Sequence, residues 1–149
     1  MNSKLLAKEY LERCRKRLKA LELLYKEKSY ADVVREAQEI VELCGKGILR
    51  ACGIDPPKWH DISDLIIDLA KRYKDFKKFE KDFKKYAKFS KWLRKERELS
   101  FYGDIDFLPS EEYKESDAKR AKEAANFSIE LLEKILSGKA KKRMSRVEF

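Results

Sequence analysis

Apolar residues recur at alternating spacings of four and three along most of the chain, a pattern that predicts amphipathic helices. The first apolar stripe predicts a helix over about residues 3–27. A second stripe predicts a helix that begins after Ser29, a candidate N-cap, and stops at Gly53. Because the turn between them is short, we expect an antiparallel hairpin. The stripes consist of Ala7, Leu11, Cys14, Leu18, Leu21 and Tyr25 in the first helix and of Val33, Ala37, Ile40, Val41, Cys44, Ile48 and Cys52 in the second.

Three further helices are predicted downstream. Asp61 is a candidate N-cap of a short third helix that continues to about Tyr73. A fifth helix is predicted to start at Ser116 or Asp117 and to stop at Gly138, and small residues in its first half allow another backbone to approach closely. The stripe of a long fourth helix consists of Phe76, Phe79, Phe83, Tyr86, Ser90 and Leu93. Since strand-like runs and threonine are missing, we predict an all-α chain of about five helices.

Composition narrows the class of protein. The chain has 149 residues, the length of one ordinary domain, and its Lys and Glu content is typical of hyperthermophile proteins. Three cysteines without a CxxC spacing and a single histidine, His60, do not form a zinc motif, so we expect buried, reduced thiols, no metal and no cofactor. No apolar stretch is long enough to span a membrane, and the N-terminus lacks a signal sequence, so we expect a cytosolic protein.

The excess positive charge belongs to one region. Residues 71–97 contain thirteen Lys or Arg and four acids, a difference that equals the whole formal net charge of +9. Three interpretations of this region stay open: a solvated helix face, a track for the phosphates of RNA, DNA or a nucleotide, and a surface for an acidic protein. One row of lysines repeats at spacings of four and three and is called the lysine row below: Lys77, Lys81, Lys84, Lys88, Lys91 and Lys95.

The fourth helix is predicted to end in RKERELSFYGD, residues 94–104. Arg97 and Tyr102 are five residues apart, about 140° around a helix, so they converge only if the helix unwinds near its end, which Gly103 permits. Arg97 and Tyr102 would then form a candidate phosphate site in which Asp104 orients the arginine. The alternative is purely structural: Arg97 pairs with Asp104, and Tyr102 packs against the following loop.

Two parts of the chain resemble the HEPN domain family. The first part is SYADVVREAQEIVELCGKGILRACGIDPPKWHDISDLI, which is similar to the second helix, the loop and the start of the third helix of that family. The second part consists of RELSFYGD, which is similar to the end of the fourth helix, and SEEYKESDAKRAKEAANFSIELL, which is similar to the fifth helix. The resemblance implies an antiparallel, HEPN-like helical bundle over residues 1–137, followed by a basic tail at 138–149. It also implies a homodimer.

The resemblance carries expectations about function. Many HEPN proteins are metal-independent ribonucleases with an arginine, four to six spacers and a histidine, and some are toxins paired with a minimal nucleotidyltransferase. Arg97 matches the arginine, but Tyr102 stands where the histidine is expected, and a phenol with a pKa of about 10 is a poor general base. His60 matches a family histidine near the third helix, where a loop-fixing role is favoured over catalysis, and Glu36 is either a polar neighbour of the site or surface charge.

Three functions therefore remain. The preferred one is a protein that binds a nucleotide or RNA through the lysine row, Arg97, Tyr102 and Asp104, and that acts with a nucleotidyltransferase partner in a toxin–antitoxin-like pair. The second is a divergent endoribonuclease in which Arg97 and Tyr102 are catalytic. The third is a module without catalysis whose basic helix binds an acidic protein.

Overall fold

The computed structural model describes residues 3–58, 61–101 and 108–142, and side chains for all of these except 97–101 and 139–142. The described part is all-α, as predicted, and contains no strand. Its elements are α1 (Ser3–Lys26), α2 (Tyr30–Ala51), α3 (Ile62–Arg72), a 3₁₀ helix (Lys74–Phe79), α4 (Glu80–Phe101), the single turn α5 (Pro109–Glu112) and α6 (Glu115–Lys142). None of the described helices is both long and apolar enough to cross a lipid bilayer.

Helix α2 lies at the centre of the bundle. It packs against α1, α3, α4 and α6, and both sides of its apolar stripe are buried, as at Val33, Val34, Ile40 and Ile48. The predicted hairpin of α1 and α2 is confirmed, since Arg17 on α1 pairs with Glu36 on α2. A helix that is apolar over so much of its surface has to be surrounded by other helices, which explains its central position.

Two glycines of α2 allow close approach of its neighbours. A Cβ atom on Gly45 would overlap the hydroxyl of Tyr86 in α4, and one on Gly47 would lie 2.8 Å from a terminal methyl of Leu132 in α6. The facing stripe of α6 is formed by small, fully buried residues, as its sequence predicts: Ala118, Ala121, Ala125 and Ser128. The close approach of α4 to α2 therefore depends on the absence of a side chain at Gly45. The close approach of α6 depends on Gly47 and on the small residues of α6.

Most of the predicted helix ends are confirmed. Asp61 caps α3 by accepting the backbone N–H of Ser63 at 3.0 Å, and Gly53 has a φ of 77° just after α2. The prediction for Ser29 is wrong in its chemistry. Ser29 occupies the N-cap position, but its hydroxyl donates to Asp32 Oδ2 at 2.6 Å and makes no bond to the backbone. The nearby carboxylate is the stronger acceptor, so the hydroxyl is used as a donor.

Three other boundaries differ from the prediction. The region around Phe76 forms a 3₁₀ helix, and α4 begins only at Glu80. The connection between the long helices contains α5, which the sequence pattern did not reveal. Helix α6 starts at Glu115, because Asp117 accepts the backbone N–H of Lys114, and it continues through Gly138, where no positive φ occurs. A glycine inside a helix costs about 1 kcal/mol but does not end it.

None of the three cysteines, all of which lie in the described part of the chain, is in a disulfide. Cys14 and Cys44 are fully buried between α1 and α2, as expected. Cys52, the C-cap of α2, differs from the expectation, since it is only partly buried where it packs against the edge of the core.

Candidate nucleic-acid interface on α4

Helix α4 has an apolar side that packs into the bundle. Phe83, Tyr86, Ser90 and Leu93 are buried there, and the hydroxyl of Tyr86 donates to the carbonyl of Val41 at 2.7 Å. Burial raises the pKa of Tyr86 well above its ordinary value, so this phenol stays protonated and keeps that bond. The predicted role of these aromatic residues as core residues is confirmed, which leaves them unavailable for stacking on bases.

Five members of the lysine row, from Lys81 to Lys95, lie on the opposite, solvent-facing side of α4, and Lys77 lies in the preceding 3₁₀ helix. All six side chains of the row are exposed. Lys81 and Lys95 are fourteen residues apart on one continuous helix, so this part of the row is about 21 Å long. Residues spaced at four and three share one helix face, so the ammonium groups form a line and not a ring around the helix.

Two members of the lysine row are paired with carboxylates. Lys84 lies 3.5 Å from Glu80 one turn earlier, and Lys91 lies 3.2 Å from both Asp61 and Asp64 at the start of α3. The hydrogen bond from Lys91 to Asp61 is the main cause of the raised pKa of that lysine. The other four lysines of the row form no ion pair with any described carboxylate: Lys77, Lys81, Lys88 and Lys95. They are called the unpaired lysines below.

Asp61 has a shifted pKa for two opposed reasons. Partial burial raises it, but the hydrogen bonds from the backbone and hydroxyl of Ser63 and from Lys91 lower it by more, so the pKa lies below its ordinary value. Asp61 therefore stays ionised near neutral pH. A single carboxylate both begins α3 and attaches that end of α3 to α4.

Polar contacts also hold one flank and the end of α4. On one flank Arg94 lies 3.1 Å from Glu42 of α2. Near the end of α4 the hydroxyl of Tyr113 donates to Glu96 at 2.6 Å, and burial together with this bond raises the pKa of Tyr113. Tyr113 directly follows α5. This hydrogen bond therefore attaches the segment after α5 to Glu96, the last residue of α4 whose side chain the structure describes.

Cations of the α4–α6 flank lie over aromatic rings. Lys85 Nζ is 4.8 Å from the ring centre of Phe127, and the guanidinium carbon of Arg120 is 4.1 Å from that of Trp92. Such contacts are worth about 0.5–1 kcal/mol at exposed sites. Lys85 of α4 and Arg120 of α6 thus join the two helices through rings of the opposite helix, a contact that the one-dimensional sequence pattern did not reveal.

The backbone position of Arg97 is on the other side of α4 from the lysine row. Arg97 follows Leu93 by four residues, about 40° around the helix, and follows Lys88 by nine, about 180°. The helix remains regular to Phe101, so there is no unwinding before that residue. The side chain of Arg97 and the whole of Tyr102 and Asp104 lie outside the described residues, as do both alternatives predicted for them.

The remaining predicted candidates are placed as follows. His60 lies outside the described residues, although Asp61, which follows it, contacts the lysine row through Lys91. Glu36 accepts a hydrogen bond of 2.8 Å from Arg17, and this bond is the main cause of the raised pKa of that arginine. Glu36 is thus part of an ion pair between α1 and α2. Among the described residues, no three His, Cys, Asp or Glu side chains are grouped so as to hold a metal ion.

Comparison with protein-family models identifies the family of the chain. The family model described as HEPN domain matches residues 7–137, which is most of the chain and includes the greater part of every long described helix. No curated protein and no solved structure matches the chain in these comparisons. The match covers the all-α bundle described above, in agreement with the resemblance of the two quoted stretches. This chain belongs to the HEPN domain family.

Proposed function

We propose that the protein binds RNA or a nucleotide through contacts between phosphates and the unpaired lysines. Membership of the HEPN family makes it a helical protein of a nucleotide- and RNA-related family. The observation that carries the finer proposal is the line of Lys81, Lys88 and Lys95, which are exposed and without a described carboxylate partner. Ammonium groups left without partners are free to replace the counterions of a phosphate backbone.

The shape of the lysine row favours a polynucleotide over a single nucleotide. Lys81, Lys88 and Lys95 are seven residues apart in turn, about 10 Å along the helix axis. A mononucleotide is held in a concave pocket, whereas this row lies on a convex helix face. Contacts along such a face position a phosphate backbone without reading bases, so the proposed binding is independent of sequence.

The end of α4 is a second proposed anion site. Arg97 and Tyr102 would bind a phosphate there, with Asp104 orienting the guanidinium, and the site would be non-catalytic because a tyrosine is a poor base at neutral pH. The backbone position of Arg97 is about 180° from Lys88, so this site and the lysine row would contact different parts of a ligand.

The proposed assembly is a homodimer that acts with a minimal nucleotidyltransferase in a toxin–antitoxin-like pair. The support for this part is the resemblance to HEPN proteins that have such partners. The neighbouring gene offers a direct check, because a nucleotidyltransferase encoded next to this protein would support the pair. Sedimentation of the purified chain measures the dimer.

Binding to labelled RNA tests the role of the unpaired lysines. The test variant is Lys81→Gln with Lys88→Gln, and the matched control is Lys84→Gln with Lys91→Gln, which removes the same charge from the same row. We expect a dissociation constant about ten-fold higher for the test variant, roughly 0.7 kcal/mol for each phosphate contact, and a change of less than three-fold for the control. Equal weakening in both variants would show that only total charge matters and would contradict the proposal.

A further inference from the structure

Two buried thiols face each other across the hairpin of α1 and α2. Cys14 and Cys44 are thirty residues apart in sequence, yet their sulfur atoms are 3.5 Å apart. The Cys44 thiol donates to the Cys14 sulfur, and the Cys14 thiol points to the carbonyl of Ile40 at 3.7 Å. Both side chains are fully buried. The hydrogen bond between the thiols therefore aims one sulfur directly at the other.

The surrounding contacts keep the two helices in this register. Arg17 pairs with Glu36 on one side of the thiols, and the rings of Tyr25 and Tyr30 are 5.9 Å apart where the hairpin turns. A disulfide requires a sulfur–sulfur distance of about 2.05 Å, so the two sulfurs have to approach by about 1.5 Å. If the two sulfurs share this movement equally, each is displaced by less than 1 Å.

We propose that Cys14 and Cys44 are a site of covalent modification, in which oxidation by a small disulfide such as oxidised glutathione joins α1 to α2. One cysteine thiolate attacks the glutathione disulfide, forming a mixed disulfide and releasing one glutathione thiol. The other cysteine then attacks the protein sulfur of the mixed disulfide and releases the second glutathione. Two protein thiols are oxidised, one glutathione disulfide is reduced to two thiols, and the protons of the protein thiols pass to the glutathione thiolates.

Burial makes the reaction slow while the hairpin is closed. Burial is the main cause of the raised pKa of Cys44, so its thiol is protonated and unreactive in the folded protein. The first exchange therefore needs α1 to move away from α2 for a moment. Cys52 is more exposed but is eight residues beyond Cys44 on α2, about 12 Å along the axis, and so is out of reach of the pair.

The disulfide would stabilise the bundle. It joins residues thirty positions apart, and loss of that freedom in the unfolded chain favours the folded state. The Lys- and Glu-rich composition is typical of hyperthermophile proteins, and intracellular proteins of hyperthermophiles are often rich in disulfides. This inference is independent of the proposed binding of RNA, because both thiols lie inside the bundle, away from the lysine row.

The experiment uses the Cys52→Ser variant, in which only the two buried thiols remain. The protein is heated with oxidised glutathione to a temperature below its Tm, denatured without reductant, treated with iodoacetamide and weighed by mass spectrometry. We expect a main species that carries no alkyl group and no glutathione and has lost two hydrogen atoms. We also expect a Tm higher by about 10 °C that returns to its starting value with dithiothreitol.

Two control variants distinguish an internal disulfide from other oxidation. Cys14→Ala with Cys52→Ser, and Cys44→Ala with Cys52→Ser, each keep a single thiol, and each is expected to yield only alkylated or glutathione-bound protein. Two alkylated thiols in Cys52→Ser after the same heating would overturn the proposal, and so would a disulfide that leaves the Tm unchanged. If an alanine variant fails to fold, refolding of Cys52→Ser from denaturant with oxidised glutathione gives the same two readouts.

Discussion

The ammonium group of Lys91 lies 3.2 Å from a carboxylate oxygen of Asp61, the residue that caps α3. One side chain thus joins the start of α3 to the lysine row of α4. Asp64 contributes a second carboxylate at the same distance from Lys91. The consequence for function is that Lys91 is neutralised within the protein, whereas Lys88 one turn earlier is not. Proximity in sequence therefore does not make two lysines of the row equivalent.

Replacement of Asp61 tests its two roles separately. Asp61→Ala removes the cap and the ion pair, and we expect a loss of about 1 kcal/mol in the free energy of unfolding. Asp61→Asn keeps an acceptor for the backbone N–H of Ser63 and loses only the charge, so a smaller loss is expected at pH 7. Urea denaturation of the three proteins measures both differences.

The pH dependence gives a control for the ion pair. Because the pKa of Asp61 is lower in the folded protein than in the unfolded chain, its charge stabilises the fold above the unfolded pKa, about 4. That stabilisation is lost as the pH falls through the folded pKa. The difference between wild type and Asp61→Asn should therefore shrink as the pH falls from about 5 to below the unfolded pKa. A constant difference over that range would show that the charge is unimportant.

Gly45 and Gly47 offer a matched pair of core substitutions. A methyl group at Gly45 overlaps the buried ring and hydroxyl of Tyr86, whereas one at Gly47 meets the movable end of Leu132. We expect Gly45→Ala to cost about 3 kcal/mol and Gly47→Ala to be close to neutral, because the better helix propensity of alanine offsets a small clash. Urea denaturation checks the order of stability. Equal stability of the two variants would contradict the close approach of α4 to α2.

Gly138 and Gly53 are expected to respond in opposite directions to alanine. Gly138 lies inside α6, exposed, with open space where a Cβ would be, so Gly138→Ala should stabilise the protein by about 0.5–1 kcal/mol. Gly53 has a positive φ after α2, so Gly53→Ala should destabilise it by about 1 kcal/mol. Thermal unfolding measures both. A loss of stability at Gly138 would mean that α6 stops there, as the sequence pattern alone suggested.

The sequence predicted the long helices because each has a continuous apolar stripe, and the stripe of α2 is buried as predicted from Val33 to Ile48. Prediction of helix ends from the sequence was wrong where a local hydrogen bond or a glycine within a helix departs from the usual start and stop signals. Ser29 donates to Asp32 instead of capping, and α6 passes a glycine that resembles a stop signal. In the site, the lysine row was visible because five of its six members, Lys81 to Lys95, lie on one helix. The pairing of Lys91 was not visible, because its carboxylates come from another helix, thirty residues earlier for Asp61.

We expect the protein to bind RNA without cleaving it. Labelled RNA incubated with the protein in EDTA should stay intact over hours, because Tyr102 does not supply a general base near neutral pH. Gel electrophoresis of the RNA measures this, with the Arg97→Ala variant as the control for contaminating nucleases. Cleavage by the wild type that disappears in Arg97→Ala would establish the endoribonuclease interpretation in its place.

The most direct test of the central claim is the salt dependence of RNA binding. Four unpaired lysines and Arg97, if each neutralises one phosphate, predict that the logarithm of the binding constant falls against the logarithm of salt concentration with a slope of about −3.5 for a single strand. In a variant with Lys77, Lys81, Lys88 and Lys95 all changed to Gln, and with circular dichroism confirming its fold, the slope should fall to about −0.7, the contribution of the proposed Arg97 site alone. A wild-type slope near zero, or an unchanged slope in the variant, would contradict the claim that these lysines bind the phosphates.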